Sequence, residues 1–271
     1  MSLGTSDTVF GITDDPQPGL EGHVFPNPVD TKSYMVMLCY KNGSLTREDI
    51  RNRYADGCWD RFNQYLPLAK PLNGGKMGFY YKEHEILPPL PVYACSWFHR
   101  YILDNFTGDT LEVVSVREVE EDFDPVFDEG LFFKIAIVHM VVEGQFMSMR
   151  GHAERFGMPS PPKRLIATGG ASVNRPILYI AACVFGCEVY TVQRSDSASL
   201  GAALRAAHGW LCSKKGTFVP FSCLYEKKSE NTSLKCKLEA IPDITLVSKY
   251  GLMVKKRLEI ENLLVEKLGS I

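Results

Sequence analysis

Apolar and polar positions alternate most regularly in the second half of the chain. Apolar residues at helical spacing predict helices over residues 133–156, 174–185, 197–212 and 246–268. Short apolar runs between them predict strands over 163–168 and 187–192. Helices that alternate with strands pack on the faces of a sheet, so the pattern predicts an α/β fold with helices flanking a mixed sheet.

The first third of the chain is rich in strand-forming residues. A strand and turn are predicted over 4–10, and a second strand over 34–40 is reversed by the turn at 41–44. Ser44 or Thr46 is a candidate cap for a helix that follows this turn.

Two groups of charged residues are predicted to face solvent. The acidic run at 118–124 lies in the least regular part of the chain, and its spacing is not that of a calcium-binding loop. The charges of the last helix are predicted to spread around its solvent side: Lys255, Lys256, Arg257, Glu259 and Glu261.

Composition narrows the class of protein. The 271 residues carry 30 basic and 32 acidic side chains, a net charge of −2, which argues against a nucleic-acid surface. The longest apolar run, 131–142, is shorter than the roughly 20 residues of a membrane span, and no secretory signal is recognisable. The eight cysteines form no C-x-x-C pair, and Cys183 and Cys187 are predicted to be small buried residues. The expectation is a cytoplasmic enzyme.

Two segments combine glycine with hydroxyl or amide side chains where a strand gives way to a turn or helix. Residues 4–8 read Gly-Thr-Ser-Asp-Thr, a possible cradle for an anion because backbone amides and hydroxyls follow one another. Residues 167–174 run from a strand through a Gly-Gly pair to a helix start at Asn174. The simpler interpretations are an ordinary turn and an ordinary helix cap. The dinucleotide, P-loop, protein-kinase and serine-hydrolase motifs are absent from the sequence.

These segments resemble those of the FGGY carbohydrate kinases, which belong to the actin-like ATPases. Residues 2–8 are similar to the phosphate-binding hairpin of that family, 169–174 to its adenosine motif and 196–203 to the helix that follows. Four further segments are similar to eukaryotic xylulose kinases, above all the plant ones: 25–30, 41–45, 73–75 and 142–147.

The resemblance implies an actin-like, ribonuclease H-like domain over 1–271, the C-terminal half of such a kinase, with an irregular insertion around 88–140. It implies ATP and Mg²⁺ as cofactors and D-xylulose as the substrate of the intact enzyme. The residues expected at the ATP phosphates are Gly4, Thr5 and Ser6, and those at the adenosine are Gly169, Gly170 and Asn174. Further candidates for the nucleotide pocket are Trp59, Gly74 and Gly75.

Several alternatives remain open at this point. Trp59 could instead be a core residue, and Asp7 could either approach magnesium through water or stabilise its turn. No metal ligand is assigned, and the oligomeric state is not indicated. The chain could also belong to another FGGY sugar kinase, or be a truncated nucleotide-binding module without catalysis.

The family's catalytic aspartate lies just ahead of the Gly-Thr-Ser hairpin, and its sugar contacts come mainly from an N-terminal domain. Neither is in this sequence, so no catalytic residue is expected in this chain and the chain alone is expected to be inactive. Segments 92–97 and 126–140 look foreign to the family. They are either remnants of splicing or gene prediction, or, for the second, a longer buried helix start.

Overall fold

The computed structural model describes residues 1–91, 97–104, 115–118, 130–192, 197–224 and 236–269. The strands are β1 (Ser2–Leu3), β2 (Asp7–Thr13), β3 (His23–Pro26), β4 (Tyr34–Tyr40), β5 (Lys76–Tyr81), β6 (Trp97–Asp104), β7 (Ser115–Glu118), β8 (Leu165–Ala167), β9 (Val189–Val192) and β10 (Cys236–Ala240). The helices are α1 (Ser44–Tyr54), α2 (Trp59–Tyr65), α3 (Leu131–Arg155), α4 (Arg175–Phe185), α5 (Ser197–Lys215) and α6 (Ile244–Gly269).

Two sheets meet edge to edge at the centre of the molecule. One has the order β1-β2-β4-β3 and is antiparallel, and the other has the order β10-β9-β8, in which β8 and β9 run parallel. They are joined because the Leu3 amide donates to the Thr168 carbonyl at 2.8 Å and the Thr168 amide donates to the Met1 carbonyl at 2.9 Å. The predicted mixed sheet is therefore confirmed. Strands β5, β6 and β7 form a separate antiparallel sheet.

Helix α3 is the central helix of the core. It packs against α1, α4, α6 and β5, and most of its residues are buried, from Phe133 to Ala153. It is long and apolar enough to cross a membrane, but 72% of its most apolar window is buried inside the molecule, as in the core helix of a soluble protein. Residues 131–140 form the start of this helix, and the two interpretations of segment 126–140 stay predictions.

The predicted helices and strands of the second half are confirmed with end shifts of a few residues. In the first third, residues 4–6 form a turn and the strand begins at Asp7. The predicted caps of α1 are wrong: Gly43 occupies the N-cap position and no side chain caps the helix. Residues 92–96, which include Cys95, and residues 119–129 lie outside the described residues, so most of the foreign-looking segment 92–97, the start of segment 126–140 and most of the acidic run 118–124 fall there.

The prediction that all charges of the last helix face solvent is wrong for Arg257 and Glu261, which are both buried. The Arg257 guanidinium donates to the Gly78 carbonyl and to Ser148 Oγ, each at 2.9 Å. Glu261 accepts from Ser148 Oγ at 2.9 Å and contacts His152 Nε2. These charges are buried because the neighbouring helix supplies polar partners for them.

Candidate functional site

The Gly-Thr-Ser segment forms the tight turn of the β1–β2 hairpin. Leu3 pairs with Asp7, so residues 4–6 make the turn. Its backbone rests on Gly43, where an added Cβ would lie 2.7 Å from the Asp7 amide nitrogen and 2.8 Å from the Thr5 carbonyl oxygen. The Ser44 amide donates to the Gly4 carbonyl at 2.9 Å. The turn is thereby fixed against the N-terminus of α1.

The Gly-Gly segment lies directly after β8, next to this hairpin. Gly169 has φ +86°, and an added Cβ there would lie 2.5 Å from the Leu3 carbonyl oxygen. A 3₁₀ turn over Gly170–Val173 follows, and Asn174 caps α4 by accepting from the Ile177 amide at 3.3 Å. The glycine at 169 is thus required by the close approach of β1, which brings the two segments together.

A cavity of about 700 Å³ opens between these two segments and helices α1 and α2. It is lined by Gly4, Thr5, Ser44, Leu45, Glu48, Trp59, Asn63, Gly170, Ala171, Val173, Asn174 and Ile177. An added Cβ at Gly170 would meet no atom within 4 Å, so this glycine leaves open space. Six residues from the two predicted segments therefore share one cavity, among them the predicted site residues Gly4, Thr5, Gly170 and Asn174.

Helix α2 forms the wall opposite the Gly-Gly segment. Trp59 is 38% exposed, and the Arg51 guanidinium lies 4.6 Å from the centre of its ring. Asn63, one helical turn further on, accepts a hydrogen bond from the Asn174 side chain. Trp59 is accordingly a cavity residue and not a core tryptophan. Asn63 was not predicted, although its spacing of four from Trp59 places both on one helix face.

The other predicted site residues lie elsewhere. Ser6 belongs to the turn but does not line the cavity, and Gly169 lines an adjoining cavity of about 560 Å³ together with Gly170. Gly74 and Gly75 lie in the 3₁₀ turn Pro71–Gly75, which packs against α3, and line neither cavity. Asp7 is fully buried, does not line the cavity and forms an ion pair with Arg47.

The cavity offers hydrogen-bond donors and an aromatic wall. In the described part of the chain, the amides of Gly4, Thr5 and Ser6 donate to no other residue. The one carboxylate among the lining residues, Glu48, accepts from Arg51 at 2.9 Å. No group of three or more His, Cys, Asp or Glu side chains within the described ranges could hold a metal ion. Backbone amides without a partner can donate to an anionic group of a ligand. The open space at Gly170 and the indole of Trp59 suit a flat ring in the same ligand.

Comparison with known proteins shows the family of the chain. Residues 1–210 match the C-terminal domain of the FGGY family of carbohydrate kinases. The chain belongs to this family. The matched range contains both loops of the cavity and helices α1 to α4, so the cavity lies within the FGGY domain.

Several of the relatives are xylulose kinases. The chain is 64% identical to xylulose kinase 2 of Arabidopsis thaliana over 270 residues, 99% of this chain and 46% of that protein. It is 37% identical to the xylulose kinase of Rattus norvegicus over 268 residues, 98% of this chain and 44% of that protein. The ligand-bound xylulose kinase from Lactobacillus acidophilus superposes with a TM-score of 0.69 at 17% identity, covering 99% of this chain and 48% of that one. The fold is that of the FGGY sugar kinases, and the chain spans about half the length of the relatives it matches.

Proposed function

We propose that this chain is the ATP-binding half of a xylulose kinase, which in the whole protein transfers the γ-phosphoryl group of MgATP to D-xylulose and forms xylulose 5-phosphate. The observation that carries the proposal is the single cavity in which Gly4 and Thr5 face Gly170 and Asn174. The sugar is inferred from the names of the relatives. The proposed fold is actin-like, with the ribonuclease H-like arrangement of sheet and helices, in a cytoplasmic protein.

In this proposal the turn of residues 4–6 binds the phosphates. Its unpartnered amides and the Thr5 hydroxyl donate to phosphate oxygens, and the backbone can approach closely at Gly4. The adenosine lies along Gly169 and Gly170, with Asn174 and Asn63 as polar contacts and Trp59 as a wall. Mg²⁺ bound to the phosphates would supply charge neutralisation during transfer, and no residue of this chain is assigned as its ligand.

The sugar pocket and the catalytic base are proposed to lie in the half of the relatives' length that this chain does not span. Glu48, the carboxylate of the cavity, is held by Arg51 and is no candidate for a base. The exposure of helix α5 supports the proposal that another part of the whole protein packs on it. His208 is the only buried residue of this helix, and Trp210 is 64% exposed. We propose that residues 1–271 form one FGGY domain and that the other half covers this helix.

Calorimetric titration of the purified chain with MgATP tests the proposal. We expect saturable binding, reduced at least about tenfold by Gly170→Glu, because the new carboxylate would occupy the open space beside this glycine and repel phosphate. Gly201→Glu is the matched control, since Gly201 is also open but lies on α5 and does not line the cavity. Absence of binding by a chain with the circular dichroism of a folded protein, or equal binding by Gly170→Glu, would contradict the assignment.

A further inference from the structure

The guanidinium of Arg47 on α1 is buried next to the hairpin turn and makes hydrogen bonds to several side chains. Arg47 is 1% exposed and Asp7 is fully buried. Arg47 Nη1 donates to Asp7 Oδ2 at 2.7 Å and to Gln145 Oε1 at 2.6 Å. Arg47 Nη2 donates to Asp7 Oδ1 at 3.0 Å and to Ser44 Oγ at 2.8 Å. All four terminal N–H bonds of the guanidinium therefore have partners on three separate elements.

These partners contact the hairpin turn or the segment on which it rests. Asp7 is the first residue after the turn, and Ser44 donates its amide to Gly4. Gln145 on α3 donates to the carbonyls of Asn42 at 2.7 Å and Gly43 at 3.2 Å, and so fixes the segment on which the turn rests. Arg47 thus connects the hairpin, the start of α1 and the middle of α3.

Stability alone does not explain this ion pair. A buried ion pair pays for its desolvation and is often no more stabilising than apolar residues of the same volume. A bidentate arginine–carboxylate pair does fix geometry, because the planar fork accepts only one arrangement of the carboxylate. Donors that are held in place before the ligand arrives lose less entropy on binding.

We propose that Arg47 is a positioning residue of the nucleotide site, acting through Asp7 to hold the amides of residues 4–6 in the arrangement that phosphate requires. The inference rests on the proposed function. Arg47 does not line the cavity and does not touch the nucleotide in this proposal.

Arg47→Lys is the main test, since lysine keeps the charge but lacks the planar fork that makes the bidentate pair with Asp7 and the two further hydrogen bonds at the same time. We expect MgATP to bind about tenfold more weakly by calorimetry. We also expect the ¹⁵N order parameters of the Gly4, Thr5 and Ser6 amides to fall in the chain without nucleotide. Asp7→Asn, which keeps the shape and removes the charge, is expected to act in the same direction and serves as the test if Arg47→Lys does not fold.

Arg150→Lys is the matched control. Arg150 on α3 is also well bonded, to Glu154 Oε1 at 2.6 Å and to the Val184 carbonyl at 2.7 Å, but does not line the cavity. It is expected to lower stability and leave both MgATP affinity and the order parameters of residues 4–6 unchanged. Wild-type affinity in Arg47→Lys, or equal weakening in Arg150→Lys, would overturn the inference. If the wild type does not bind MgATP, the proposed function fails, and the order parameters still decide whether Arg47 holds the turn.

Discussion

Gly169 and Gly170 are neighbours with different structural constraints. Gly169 combines φ +86° with a backbone contact from Leu3, whereas an added Cβ at Gly170 would meet nothing within 4 Å. The first glycine is therefore needed for the junction between the two sheets. The second leaves room for a ligand.

Alanine substitutions at Gly169 and Gly170 are expected to differ in their effect on stability. Gly169→Ala is expected to lower the free energy of unfolding by about 2 kcal/mol or more, because the methyl group meets the Leu3 carbonyl in a backbone conformation that alanine disfavours. Gly170→Ala is the control and is expected to change it by less than about 0.5 kcal/mol. Urea denaturation of both variants measures the difference, and equal stabilities would contradict the packing described for Gly169.

At the residue scale the sequence predicted the site only in part. Gly4, Thr5, Gly170, Asn174 and Trp59 line one cavity, and their contacts with a nucleotide stay predictions. Asn174 is both a helix cap and a cavity residue, so the two interpretations of it are compatible. The sequence gives no indication that Asp7 is buried, because its partner Arg47 comes from another element. Gly74 and Gly75 stay predictions for the nucleotide pocket, and the structure brings neither into either cavity.

At the scale of elements, α6 is attached to the core through a buried polar network as well as apolar packing. Burial raises the pKa of Glu261. The charge of His152, the hydrogen bond between His152 and Glu261 and the charge of Arg257 lower this pKa by more than burial raises it, so that it lies below its ordinary value of 4.5. A carboxyl group whose pKa is lowered by folding stabilises the fold at pH values above the pKa that it has in the unfolded chain. That contribution is lost as the pH falls through the folded pKa.

Glu261→Gln is expected to lower the free energy of unfolding by about 3 kcal/mol at pH 7, because a buried charge network loses one member. The gap between wild type and variant is expected to narrow as the pH falls from about 4.5, where the carboxyl group takes up a proton in the unfolded chain, through the lower pKa that Glu261 has in the folded protein. Urea denaturation across this pH range measures both effects.

Glu259→Gln is the control for this prediction. Glu259 is exposed and pairs with Lys256 at 2.6 Å on the surface of the same helix, so its loss is expected to cost less than about 1 kcal/mol. A gap between wild type and Glu261→Gln that does not change with pH would contradict a role for the ionised carboxylate.

The elements themselves could largely be predicted from the sequence. Helices α3, α4, α5 and α6 and strands β4, β8 and β9 follow from local apolar periodicity and from turn residues. The burial of Arg257 could not be predicted in this way. Periodicity identifies which residues share a helix face. It does not show that Ser148 and the Gly78 carbonyl lie next to Arg257 and accept its hydrogen bonds.

At the scale of the whole molecule, the chain spans about half the length of its relatives, and α5 is largely exposed. We expect no D-xylulose-dependent release of ADP from the purified chain, because the proposed base and sugar pocket are not part of it. A coupled assay for ADP with and without D-xylulose measures this. Robust turnover by the chain alone would contradict the division of roles.

A longer protein that includes the remaining half provides the positive control. It is expected to phosphorylate D-xylulose, and Gly170→Glu in that protein is expected to abolish turnover while leaving the fold intact. The exchange of the amides of α5 is expected to slow in the longer protein, because the added half covers the helix that is exposed here.

Features that depend on neighbouring residues could be predicted from the sequence: the helices and strands, the two glycine segments and the likeness to the FGGY kinases. That Gly4 and Thr5 share a cavity with Gly170 and Asn174 became clear from the folded chain. That meeting depends on the pairing of Leu3 with Thr168, a contact between strands far apart in the chain. Hydrogen bonds across a sheet join residues by register and not by sequence distance, so local patterns cannot reveal which segments they bring together.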